Sequence, residues 1–235
     1  MRREVQAVVD ANSRAVSGTA LARDRTLPLV ASLVGLFPEG GLRRGSTVVL
    51  ARGAHPGVTS LALNLLGGPV AGGSWCAVVG APDLGLVAAA QLGIGLERLA
   101  LVPRPGAEWA VVTAALLEGF DVVLLFAPSP VNQAGASKLE ARARERGSVL
   151  AVVAESWPGR ADMRLEVVTC RRLGLGDGFG YLAGCEIEVV ARGRGAASRP
   201  RRARLCPGGL PPGPYGAAPP AGREMPRPVP MGGRK

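Results

Sequence analysis

The residues of this chain best placed to do chemistry lie in GLRRGSTVVLARGAHPGVTSLALNLL, residues 41–66. A β-branched run from Thr47 to Ala51, a glycine-bearing loop and an apolar helical stretch follow one another there. That is the order in which anions are held at a helix N-terminus. A working phosphate loop reads GxxxxGK[ST]. Its glycines let backbone N–H groups surround the phosphates, its lysine neutralises the outer charges, and its hydroxyl holds magnesium. Setting Gly57 at the second glycine puts Arg52 at the first, Val58 at the lysine position and Thr59 at the hydroxyl position, with Gly53 one place out of register. The hydroxyl survives and the lysine does not. A charge-assisted hydrogen bond to phosphate contributes on the order of 1.5–3 kcal/mol, and the apolar Val58 supplies none of it. Arg52 also binds anions as a residue type, but a position at a strand end aims it poorly.

A second device is missing independently. Magnesium at such a site is held by an aspartate at the end of a hydrophobic strand. The strand able to carry it is GFDVVLLFAP, residues 119–128, and that strand ends in Phe126. Its one acid, Asp121, stands at the beginning, on the wrong side of a sheet for the metal. Other chemistries fare no better. Ser60 and Ser129 lack a histidine and acid in the right arrangement, which excludes a hydrolase triad. The single histidine, His55, and four cysteines (Cys76, Cys170, Cys185, Cys206) show neither metal-ligand spacing nor a disulfide framework. The expectation is reduced thiols, no metal, no cofactor and no catalytic residue.

The elements that must position this segment alternate. After Thr47–Ala51 comes a helix from Thr59 to Leu66, then a strand at Trp75–Val79 and a helix at Leu84–Gly93. A strand at Leu99–Val102, a helix at Ala107–Gly119, a strand at Asp121–Phe126, a charged helix at Gln133–Gly147 and a strand at Val149–Glu155 complete the series. Strand and helix in alternation predict an α/β fold, a mostly parallel sheet flanked by helices. Past Pro158 the pattern changes. Met163–Arg171 and Cys185–Arg192 read as antiparallel edge strands joined by a glycine-rich turn, Gly174–Gly184, with Phe179 and Tyr181. The domain reading is a helical segment over 1–26, a core over 27–205 and a tail over 206–235. Leu27–Gly45 reads as a connector. The tail's nine prolines and seven glycines predict disorder, because burial there cannot offset ordering entropy.

Charge points outward from this core. The formal net charge is +10, and only Lys138 and Lys235 are lysines, so arginine carries nearly all of it. Two origins fit: a polyanionic or acidic partner, or a GC-rich genome that raises arginine everywhere. The densest run, Arg192, Arg194, Arg199, Arg201, Arg202 and Arg204, is either a nucleic-acid or partner contact or a solvated hairpin. Phosphate contact on single strands would lower log K by about 0.7 per phosphate as log salt rises. Aromatics at 4% are sparse for base stacking. Trp75, Trp109, Trp157 and Phe120 read as packing residues, and Arg43 and Arg44 as solvent-facing. No apolar run of membrane-spanning length and no signal-peptide core is present, so a soluble cytoplasmic protein without membrane contact is expected.

Residues 27–155 resemble the core of the RecA recombinase superfamily, and more closely the actinobacterial ImuA-type proteins. The resemblance rests on LPLVASLVGLFPEGGLRRGSTVVLARG, WCAVVGAP, AAQLGIGLERLALVPRP, GFDVVLLFAP and RARERGSVLAVVAESWPG. It implies a RecA-like fold, with Gly80, Ala81 and Pro82 where RecA relatives carry a catalytic acid. Proline is no general base, so Pro82 joins Val58 and Phe126 as a degenerate position. The resemblance further implies a non-catalytic accessory factor in damage-induced mutagenesis and translesion DNA synthesis, near the nucleoid when DNA is damaged. It would bind an ImuB-type degenerate Y-family polymerase, partly through its C-terminal portion, and indirectly support a DnaE2-type polymerase, with DNA as a further contact. Two other readings stay open: a divergent ATPase using Arg52 and Thr59, and a basic single-stranded nucleic-acid binding module.

Overall fold

The computed structural model describes residues 25–176 and 179–206. Residues 1–24 of the expected N-terminal helical segment and the tail beyond Cys206 lie outside the described residues.

The apolar runs pair as their β-branched content predicts. Strands β3 (Thr47–Ala51), β4 (Cys76–Val79), β5 (Leu99–Val102), β6 (Val122–Phe126), β7 (Val149–Ala154) and β8 (Met163–Gly176) lie mutually parallel. With β9 (Phe179–Gly193) and β10 (Arg201–Leu205) they form one eight-stranded sheet in the order β10-β9-β8-β3-β7-β6-β4-β5. The last two strands pair antiparallel at one edge. The fold class is therefore α/β with a mostly parallel sheet.

Both faces of the parallel strands are covered, which is why they read as continuous apolar runs rather than alternating ones. Helix α2 (Val58–Ala71) lays Leu61, Leu65 and Leu66 over Val48, Leu50, Leu124 and Val153. On the opposite face, α4 (Trp109–Leu116) and α5 (Gln133–Arg146) bring Val112, Leu116, Leu139 and Ala143 onto Val49, Val79, Val123 and Val152. Each fully buried Leu or Val contributes about 1.5–3 kcal/mol of transfer free energy. Helix α5 begins where the Asn132 side chain accepts a hydrogen bond from Gly135 N at 2.6 Å, and it stops at left-handed Gly147. A short helix, α3 (Leu86–Gln91), follows β4.

Three expectations need correction. Residues 27–45 are more than a connector: strands β1 (Thr26–Leu27) and β2 (Leu42–Arg43) pair around helix α1 (Ala31–Val34), and Leu27, Leu33, Leu36, Phe37 and Leu42 are buried in the core. Helix α2 runs five residues past Leu66, through Gly67-Gly68-Pro69. A side chain at Gly68 would stand 2.5 Å from Leu29 Cα and from the Pro28 carbonyl, so glycine there admits the incoming backbone. The presumed turn over 174–184 is mostly strand, since β8 continues to Gly176 and β9 starts at Phe179. No described helix is long and apolar enough to cross a membrane.

Candidate functional site

Parallel strands place all their C-terminal ends on one edge, and the order of this sheet sends the chain from β3 across to β4 with β7 and β6 between them. Such reversals of strand order leave a crevice at the C-terminal edge. A cavity of about 530 Å³ opens there, lined among others by Arg52, Gly53, His55, Val58, Thr59, Pro82, Asp83 and Phe126. Val58, Pro82 and Phe126, far apart in sequence, meet at this one cavity.

Its floor is built from tight backbone. Gly57, the N-cap of α2, takes φ 110, and its carbonyl accepts from Leu61 N at 2.9 Å. No side chain caps this helix, so its first N–H groups face the loop. Gly80 ends β4 at φ 78, and a Cβ there would stand 2.6 Å from the Phe126 carbonyl. Arg52 N donates to the Ala154 carbonyl at 2.8 Å, holding the loop to the end of β7.

The charges around the cavity differ from expectation in one respect. Arg52, though at a strand end, does line it, as do His55 and Asp83, and all three are exposed. Asp83 stands one residue beyond Pro82, the position that alignment matches to the acid, and that one-residue offset is the signal for it in the sequence. Val58, Pro82 and Phe126 line the same cavity as these charged groups. No group of three or more metal-ligating side chains occurs among the described residues.

Asp121 sits at the other end of β6, as expected, and its work there is structural. Its carboxylate accepts from Arg44 Nη1 at 2.8 Å and from Trp75 N at 3.0 Å. Arg43 likewise meets Asp162 at 3.2 Å, while Asp162 also accepts from Thr47 N at 2.9 Å. Arg44 and Arg43 are thus tied to the sheet rather than merely solvent-facing. The packing reading of the aromatics holds for Phe120 and Trp157, both buried, with Trp157 Nε1 donating to Glu140 at 2.8 Å. Trp75 is half-buried beneath the Arg98 guanidinium, 5.7 Å from its ring centre.

The arginine run maps to the β9–β10 edge, well apart in the sheet from β4 and β6. The register alternates: Ala203 and Leu205 turn toward the core while Arg202 and Arg204 are exposed on the other face. Beside them Arg192 meets Glu166 at 3.6 Å and Arg202 meets Glu188 at 3.0 Å. Arg201 folds back toward the Gly35 carbonyl at 3.5 Å. Arg194 and Arg199 flank a 3₁₀ turn (Gly195–Ala197) and are exposed. The run therefore divides between paired and open arginines, and exposed pairs of this kind contribute little to stability.

Residues 35–159 match the model of the family described as the MT3502 N-terminal domain. Over 149 residues the chain is 36% identical to the uncharacterized protein Rv3395c of Mycobacterium tuberculosis, an alignment covering 60% of this chain and 73% of that protein. The matched segment contains the loop before α2, the end of β4 and the end of β6, that is, every wall of the cavity. This chain belongs to the MT3502 N-terminal domain family.

Proposed function

We propose that this protein is a RecA-like scaffold that acts by binding partners and hydrolyses no nucleotide. The observation that carries this reading is the convergence of Val58, Pro82 and Phe126 on one cavity. Triphosphate and its metal need a cation, a carboxylate and a base at those positions, and these three side chains supply none of them. The resemblance to ImuA-type proteins supplies the partner class: a degenerate Y-family polymerase of ImuB type, serving translesion synthesis by a DnaE2-type polymerase in response to DNA damage.

Titration calorimetry with magnesium-ATP tests the silent site. Saturable binding is expected to be absent up to millimolar nucleotide. Micromolar affinity that disappears in Thr59→Ala would overturn the reading. The partner is tested by co-purification with an ImuB-type protein. Truncation at Pro207 leaves the sheet whole, whereas a cut at Leu165 removes most of β8 and all of β9 and β10, so the shorter deletion and Arg202→Glu with Arg204→Glu are the informative variants. Retention unchanged in all of them moves the interface onto the core.

A second reading has one specific observation in its favour. Arg52, Thr59 and Asp83 line the same cavity, a cation, a hydroxyl and a carboxylate from which a divergent nucleotide site could be assembled. The same calorimetry decides between the two.

A further inference from the structure

Strands β8 and β9 outrun the sheet that holds them. β3 pairs with β8 only over Met163–Glu166, and β10 pairs with β9 only over Ile187–Ala191. Beyond those positions the hairpin is a two-stranded ribbon, and two strands alone are marginally stable in water. The ladder is broken just before the free portion, between Val167 and Thr169, and again between Leu173 and Leu175. Because β8 runs parallel to β3 and carries on past Ala51, the ribbon rises from the same C-terminal edge as the cavity. Its base touches the loop: a side chain at Gly57 would stand 2.9 Å from Ile187 Cγ2.

At this transition sit Cys170 and Cys185. Cys170 pairs in register with Ile187, and Cys185 with Arg172, so the two cysteines are diagonal neighbours on one face. Their sulfurs are 2.9 Å apart, both half-buried against the core beneath α2. A disulfide closes its two sulfurs to about 2.05 Å, and here the two already stand in contact across the ladder. The sequence spacing of the two gave no hint of this, since their proximity comes from the register of the hairpin.

We propose that Cys170 and Cys185 form a reversible thiol–disulfide pair that fixes the base of the ribbon. A low-molecular-weight disulfide is the oxidant. One protein thiolate attacks it and releases the first small thiol, and the second protein thiol, losing its proton, displaces the second small thiol. Two protein thiols are oxidised to one disulfide while one small disulfide is reduced to two thiols. In a reducing compartment such a bond is transient and signalling rather than structural. The link closes a loop between positions 15 apart, and closure of that length shifts the opening equilibrium of the enclosed segment on the order of a hundredfold. Oxidation thus converts a fraying ribbon beside the cavity into a fixed one. This inference stands apart from the scaffold reading, since it needs neither partner nor nucleotide.

The test uses the full chain with Cys206→Ser, which removes the exposed competing thiol, and glutathione disulfide as the oxidant. Alkylation and non-reducing peptide mapping are expected to show a Cys170–Cys185 link, lost on adding a dithiol. Hydrogen exchange of amides in 171–184 is expected to slow about a hundredfold on oxidation, with no slowing in Cys170→Ser or Cys185→Ser. Glutathione adducts on both cysteines in place of the link, or two alkylatable thiols after oxidation, would overturn the proposal. So would a link that leaves exchange unchanged. The wild-type peptide map decides the link even if a serine variant folds poorly.

Discussion

Replacing Asp121 tests whether the acid just before β6 is there to hold the sheet together. Its carboxylate joins chain segments that are distant in sequence: Arg44 before β3 at 2.8 Å, and the Trp75 backbone N–H before β4 at 3.0 Å. Its own carbonyl accepts from Val149 N at 2.8 Å. Asp121 is 15% exposed and Arg44 34%, so the ion pair is partly screened and is worth roughly 0.5–1 kcal/mol, at the upper end for surface pairs. The hydrogen bond to Trp75 is likewise part-buried, and leaving that donor unmet costs about 1–3 kcal/mol. Asp121→Ala should therefore destabilise by about 1.5–4 kcal/mol. Asp121→Asn, which keeps an acceptor for Trp75, should cost only about 1 kcal/mol. Urea unfolding reads both as a lowered midpoint at constant m, and the Ala variant should melt roughly 5–15 °C lower. Two results refute the reasoning. One is an Asn variant as damaged as Ala. The other is Arg44→Leu costing the same with and without Asp121, which would mean no coupling between the pair.

Two further outcomes are expected. Gly57→Ala should destabilise by about 1–3 kcal/mol in the same urea assay, because φ 110 is strained for an L side chain and the added Cβ meets Ile187 Cγ2 at 2.9 Å. Cys76 is buried, and that burial, with the Asp121 carboxylate adding to it, pushes its thiol well above the ordinary value of 9.0. The folded state thus holds its proton where the unfolded chain has lost it, so stability falls as pH climbs past 9, by up to about 1.4 kcal/mol per unit. Native Cys76 should also resist iodoacetamide at pH 8 while Cys206 reacts, and equal alkylation of both would show the burial argument to be wrong.

The sheet was legible because its strands are buried on both faces, and runs such as Val122–Phe126 carry that fact in composition alone. The helices were legible in position and less so in length. Gly67-Gly68-Pro69 reads as a helix end, yet the chain continues through it because the segment at Pro28–Leu29 needs to lie against glycine. Tertiary packing there overrode local propensity. That Val58, Pro82 and Phe126 share one cavity was legible by comparison with a motif. Asp83 and the reach of Arg52 were not, because a one-residue offset in a loop decides what lines a cavity. Likewise the meeting of Cys170 with Cys185, and of Arg44 with Asp121, depends on register and strand order, which no local pattern encodes.

A loop with glycines at positive φ ahead of a helix invites the thought that a ligand must explain it. In this molecule the protein itself explains it. Gly57 is required by Ile187, whose side chain fills the space a Cβ would take, and Gly80 by the Phe126 carbonyl, which passes at 2.6 Å from the same point. Both glycines are held by contacts between the loop and its neighbouring strands, with no phosphate needed. Packing alone thus accounts for the backbone shape of this loop. On the scaffold reading proposed above, Val58→Lys alone would add a cation at the helix N-terminus yet leave Pro82 and Phe126 where a base and a metal ligand are needed. The shape of the loop is therefore neutral on function, and the side chains around the cavity carry the argument.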